Sequence, residues 1–199
     1  MDLVYIYADE SCLGNQFADR PRPGGAGGLV ELWRGDAWVR RDYWASEPAT
    51  TNNRMALRGA CDLLDALTRP CRVLFTSDSQ YLVRGMLEWI HGWAKRGWKR
   101  KGGGIENVEL WQRLARAAHR HEVEWRWVRG HAGHPQNEYA NDLAVRAARE
   151  QSVSGGLIES RFVEWLERHR EASQRYMDFF ELAPPPDDEE FRASERPPV

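Results

Sequence analysis

Between Leu3 and Glu150 the hydrophobic pattern changes period in an order that few folds accommodate. Three short extended runs follow one another: residues 3 to 8, Leu29 to Trp33 and Ala37 to Trp44. A Gly/Pro-rich stretch, Pro21 to Gly28, reads as a loop before the second run, and Arg34-Gly35-Asp36 reads as a hairpin turn before the third. From Asn53 the apolar positions Leu57, Ala60, Cys61, Leu64 and Leu67 recur at helical spacing until Arg69-Pro70 stops them. A strand at Val73 to Thr76 follows, then helices near Gln80 to Trp89 and Val108 to His119. The alternation of Glu122 to Val128 is a last strand, and Asn137 to Glu150 a last helix. Three strands, then helix, strand, helices, strand and helix specify an α/β fold with a mixed five-stranded sheet flanked by helices.

Residues 1–150 therefore form one domain. Residues 151–156 read as a linker and 157–182 as an extra, partly amphipathic helix carrying Phe162, Trp165, Leu166 and Phe180. Residues 183–199, with Pro184-Pro185-Pro186 and the acidic run Asp187 to Glu190, read as a disordered tail. Because the five-stranded pattern closes before Ser152, the extension is expected to be dispensable for folding.

The formal net charge of -2 hides an asymmetry. Residues 151–199 carry eleven acidic residues against six arginines, which leaves the first 150 residues net positive. Cys12, Cys61 and Cys71 are odd in number and lack paired metal-ligand spacing, so a reducing compartment is favoured over a disulfide framework. Without a cationic leader at Met1-Asp2-Leu3 or a run of membrane-spanning length, a cytoplasmic, monomeric protein is expected.

Asp78 closes the apolar run Val73-Leu74-Phe75 and stands where a strand passes into a helix, the place where α/β proteins keep their chemistry. Downstream, Trp89, Trp93 and Trp98 are interleaved with Lys95, Arg96, Lys99, Arg100 and Lys101, which include all three lysines of the chain. Aromatic faces among fixed positive charges suit a sugar-phosphate backbone. His131 and His134 flank Ala132-Gly133, but with no cysteine or further histidine nearby they do not make a zinc site.

Five motifs in order, Asp9-x-Ser11-Cys12-Leu13-Gly14-Asn15, Thr50 to Met55, Asp78-Ser79-Gln80-Tyr81, the Trp-rich basic protrusion and Trp127 to Glu138, resemble ribonuclease H of the type 1, bacterial-like family from Val4 to Ala148. The resemblance implies a metal-dependent endonuclease that hydrolyses the RNA strand of RNA/DNA hybrids with Mg²⁺, Mn²⁺ being a possible substitute. It implies that Asp9 and Asp78 are catalytic metal ligands and that His131 assists proton transfer or product release. Clustered carboxylates suit that chemistry because Mg²⁺ prefers oxygen ligands.

Two family carboxylates are missing. Ala56 stands where the family has Glu, and Asn141 where it has Asp. Glu10 and Asp142 are the candidate replacements. Glu10 points away from Asp9 if the strand stays regular, but at a strand end it could swing towards the space left at Ala56. Asp142 is one residue beyond the lost position, a step of about 100° around a helix.

The resemblance further implies that Cys12, Asn15, Asn52, Asn53 and Gln80 meet the minor groove, where 2′-hydroxyl groups mark RNA, and that Thr51 sits near a DNA-strand phosphate. Trp89, Trp93, Lys99, Arg100 and Lys101 would form the protrusion along the DNA strand, although two tryptophans at i and i+4 also suit core packing. Depleted ligands beside retained contacts leave an alternative: an inactive hybrid-binding protein. The C-terminal helix could recruit a protein partner.

Overall fold

The computed structural model describes residues 1–14, 22–100, 102–130, 132–185 and 190–199. Strands β1 (Leu3–Cys12), β2 (Arg22–Arg34) and β3 (Ala37–Thr50) form an antiparallel meander, while β4 (Arg72–Ser77) and β5 (Glu122–Trp127) join β1 in parallel. A short strand from the extension, β6 (Ile158–Glu159), pairs with β3, so the sheet has six strands in the order β5-β4-β1-β2-β3-β6. The helices are α1 (Asn52–Asp65), α2 (Gln80–Arg84), α3 (Ile90–Lys95), α4 (Val108–His119), α5 (Pro135–Glu150) and α6 (Phe162–Ser173). A π-helical turn, Gly85–Trp89, joins α2 to α3.

The Gly/Pro-rich stretch read as a loop is strand. β2 begins at Arg22 and runs through Gly24, Gly25, Gly27 and Gly28. Glycine is required there because α5 lies directly on the sheet: a Cβ on Gly25 or Gly27 would collide with the carbonyl oxygens of Ala144 and Ala140. On the other face, Ala26 packs against Gly59 of α1. Alternate residues of β1 and β2 thus face α5 on one side and α1 on the other.

Two apolar clusters follow from this layering. Ile6, Val73, Phe75, Leu57, Leu63, Leu64, Trp111 and Leu114 fill the space between the sheet, α1 and α4. On the opposite face Leu29, Tyr139 and Leu143 are covered by Phe162, Trp165, Leu166 and Tyr176 of the extension.

The extension therefore packs as part of the fold, and the helix expected over 157–182 is shorter. α6 ends at Ser173, where Gln174 turns into the left-handed region (φ 52°). Asp42 of β3, 2% exposed, accepts hydrogen bonds from Tyr139 Oη (2.5 Å), Ser160 Oγ (2.5 Å) and the Arg161 amide (3.1 Å). These bonds lock β3, α5 and the start of α6 together; burial still holds the Asp42 carboxyl above its usual range despite them.

The described part of the tail, read from sequence as disordered, is also seated. Trp38 Nε1 donates to the Ala183 carbonyl (2.8 Å), and the Ser194 amide donates to the Val123 carbonyl (2.8 Å). The Trp125 amide donates to Ser194 Oγ (3.3 Å). Residues around Ser194 thereby cover the open edge of β5. Pro186 to Glu189 lie outside the described residues.

Candidate active site

The three parallel strands β1, β4 and β5 end on the same side of the sheet, and the acidic residues gather there. β1 pairs with β4 as far as Ala8 and Ser77, then runs past its end through Asp9 and Glu10 while Asp78 turns towards α2. Carboxylate oxygens of Asp9, Glu10 and Asp78 lie within 4.8 Å of one another. β1 remains regular here, with Asp9 opposite Gly27 and Glu10 opposite Ala26. Asp9 belongs to the α5 face, Glu10 to the α1 face on which Ala56 sits. Beyond the end of β4 no neighbouring strand separates the two side chains, so they converge from opposite faces on Asp78.

Neighbouring elements hold the trio from several sides. Asn137, 2% exposed in the first turn of α5, donates through Nδ2 to Asp9 Oδ2 (3.1 Å), and the Glu10 amide donates to Asp9 Oδ1 (2.7 Å). Ser79, the N-cap of α2, stands beside the Glu10 carboxylate and favours its charged form. Trp127 Nε1 donates to the Asp78 carbonyl (3.0 Å). The loop after β5 presses on the site as well, because a Cβ on Gly130 would collide with Asp78 Oδ2.

Burial, and then the nearby Asp78 charge, push the Asp9 carboxyl up to about 8, against the opposing hydrogen bonds from the Glu10 amide and Asn137. Burial, Asp9 and Asp78 drive Glu10 well above the usual carboxylate range. Burial and mutual repulsion thus favour the protonated forms of Asp9 and Glu10 until a positive charge compensates them. Asn137 Oδ1 is also buried without a partner, which leaves an acceptor beside the trio. The donor set, all oxygen, fits a hard divalent cation such as Mg²⁺ or Mn²⁺.

A pH signature follows. With a folded-state value near 8 against 3.8 for the free carboxyl, Asp9 binds more protons in the folded than in the unfolded protein between those limits. Its contribution to stability is present below pH 4 and is lost as pH rises towards 8. Denaturant unfolding in EDTA should show a steeper stability loss from pH 5 to pH 8 for the wild type than for Asp9→Asn, and saturating Mg²⁺ should remove the difference.

Asp142 is not part of the trio. It lies exposed on the outer side of α5, where its Oδ2 accepts from Trp165 Nε1 (2.7 Å). The one-residue step turns it towards α6. Asn141, four residues after Asn137, shares the Asn137 side of the helix.

Among the other expected contacts, Asn52 and Asn53 open α1, Thr51 caps it with its hydroxyl accepting from the Arg54 amide (3.3 Å), and Gln80 is exposed at the start of α2. Cys12 is half-buried at the end of β1. Trp93 is buried, 9% exposed, edge-on to Trp111 at 5.4 Å, so it supports the protrusion from within. Trp89 is half-buried and, with Tyr81, Trp93, Arg100, Ile105 and Glu106, lines a recess. Lys99 and Arg100 are exposed. Asn15, Lys101 and His131 lie outside the described residues.

Ser79, Trp127 and Asn137 are the functional residues that sequence reasoning missed. All three lay inside the family motifs, but nothing in a motif tells a side chain that supports a carboxylate from one that meets substrate.

The comparisons with known proteins bear on the family and the fold. Residues 1–149 match the RNase H family model. A ribonuclease H of Syntrophotalea carbinolica is 50% identical over 146 residues, 73% of this chain and 90% of the relative. One from Shewanella sp. is 48% identical over 153 residues, 76% and 90% respectively. The crystal structure of LC9-RNase H1, described as a type 1 RNase H with the type 2 active-site motif, superposes with a TM-score of 0.90 at 53% identity, covering 100% of this chain and 95% of that one.

Proposed function

Because the chain belongs to the ribonuclease H family, we propose that it is a metal-dependent endonuclease cutting the RNA strand of RNA/DNA hybrids, with Glu10 in place of the glutamate missing at Ala56. The observation that carries this reading is the convergence of Glu10 with Asp9 and Asp78 within 4.8 Å. The neighbour described as a type 1 RNase H with the type 2 active-site motif supports it, since a type 1 fold there carries an active-site motif of another type.

Asp9, Glu10 and Asp78 would hold Mg²⁺ or Mn²⁺, which when bound polarises the scissile phosphate and activates the attacking water. To hold the cation, Asp9 and Glu10 would give up the protons that burial favours. Asn137 fixes the orientation of Asp9, and Ser79 that of Glu10. His131, by its match to the family motif, carries protons near the leaving group. Asn52, Asn53, Gln80 and Cys12 recognise the minor groove, and Asn15 by its motif position joins them. The exposed Lys99 and Arg100, with Lys101, follow the DNA strand.

A labelled hybrid should be cleaved in Mg²⁺ or Mn²⁺, while the matching DNA duplex stays intact. Tight hybrid binding without cleavage in either metal would sink the enzyme reading in favour of a binding protein. Neutralising Lys99, Arg100 and Lys101 together should weaken hybrid binding and flatten its salt dependence by about one unit of slope for each phosphate that is no longer neutralised. An unchanged slope would remove the protrusion from the interface.

A further inference from the structure

The C-terminal extension reaches the candidate site through one residue. Glu138, in the first turn of α5, accepts the Gly133 amide on Oε1 (3.1 Å) and Tyr176 Oη on Oε2 (2.6 Å), and Arg175 makes an ion pair with the same Oε2. Gly133 belongs to the loop between β5 and α5. The start of that loop is fixed against the acidic trio: the Val128 amide donates to the Ser77 carbonyl (3.1 Å), and Gly130 abuts Asp78. One end of the loop therefore rests on Asp78 and the other hangs from Glu138.

Tyr176 is held in a costly conformation to make this contact. Its φ is 59°, in the left-handed region that bulky side chains avoid. Stacking on Trp165 at 5.4 Å and the bond to Glu138 keep it there. Glu138 is only 12% exposed, and its carboxylate, although burial opposes this, is held below its usual range by Tyr176, Arg175 and the Gly133 amide, so it stays a charged acceptor. Arg175 and Tyr176 both lie beyond residues 1–149, the part that matches the family model.

We infer that Arg175 and Tyr176 are positioning residues: acting through Glu138, they hold the β5–α5 loop against Asp78 and so set the geometry in which the RNA phosphate is attacked. The kinetic arm of this inference rests on the hydrolase reading; the structural arm does not. The groove contacts and the protrusion lie on other elements, so the effect should fall on turnover and spare substrate affinity.

The test is a cycle of four full-length proteins: wild type, Arg175→Ala with Tyr176→Phe, Glu138→Ala, and all three changes. Tyr176→Phe keeps the ring on Trp165 and removes only the hydroxyl. Amide exchange at Gly133 should accelerate about tenfold in the double variant, the loss expected for a bond to a charged group, and kcat should fall about tenfold with KM within about twofold. In the Glu138→Ala background the two changes should add nothing. Unchanged Gly133 exchange, full additivity, or a freed Gly133 with unchanged kcat would each overturn the inference. If the wild type cleaves no hybrid yet Gly133 responds as stated, the hydrolase reading fails while the hold of the extension on the loop stands.

Discussion

Replacing Glu10 by Gln should lower hybrid cleavage by about a thousandfold or more, the size of effect expected when a metal-binding carboxylate loses its charge. With Ala56 offering a methyl group and Asn141 a neutral amide, the site has Asp9, Glu10 and Asp78 as its acidic oxygen donors among the described residues. Removing one leaves two charges for a divalent cation beside a polyanion. Hybrid binding without metal should stay within about threefold, because the groove amides and the protrusion are on other elements. The metal-free Glu10→Gln protein should also be more stable than wild type above neutral pH, since a buried, repelled acid has been made neutral. Asp142→Ala provides the contrast. It should leave cleavage near the wild-type rate and cost about 1 kcal/mol of stability through removal of the bond to Trp165. Cleavage by Glu10→Gln within tenfold of wild type would show that Glu10 is no ligand.

Truncation after Gly156 should abolish cooperative folding or lower Tm by more than about 15 °C. It removes Phe162, Trp165, Leu166 and Tyr176, all 8% exposed or less, and uncovers Leu29, Tyr139 and Leu143 on the sheet. It also takes two of three donors from Asp42, leaving a buried carboxyl with Tyr139 alone. A milder probe isolates the packing: Phe162→Ala should cost about 4 kcal/mol and lower Tm by about 10 °C, as burial of a large aromatic in a layered core predicts. A truncated chain that melts within a few degrees of the full-length protein would restore the view that the extension is dispensable.

The order of strands and helices was legible because hydrophobic period is a local property: Leu57, Ala60, Cys61 and Leu64 announce a helix wherever they are. Asp9 and Asp78 were legible through the ordered family motifs around them, since a carboxylate near a strand end taken alone reads as readily as a cap. The Gly24 to Gly28 stretch was misread because glycine signals a turn and a close helix approach in the same letter, and only the position of α5 over Gly25 and Gly27 separates the two. Phe162, Trp165 and Tyr176 were seen as apolar, but not what they cover, since burial against Leu29 joins positions more than a hundred residues apart.

The sequence by itself thus determined the mixed sheet, the family motifs and the pair of missing carboxylates. Only the tertiary structure decided which of the two candidate carboxylates lies beside Asp9 and Asp78. Glu10 follows Asp9 on β1 and Asp142 follows Asn141 on α5; β4 ends at Ser77 and leaves Glu10 grouped with Asp9 and Asp78, whereas a helix turns each next residue by about 100° and carries Asp142 out to Trp165.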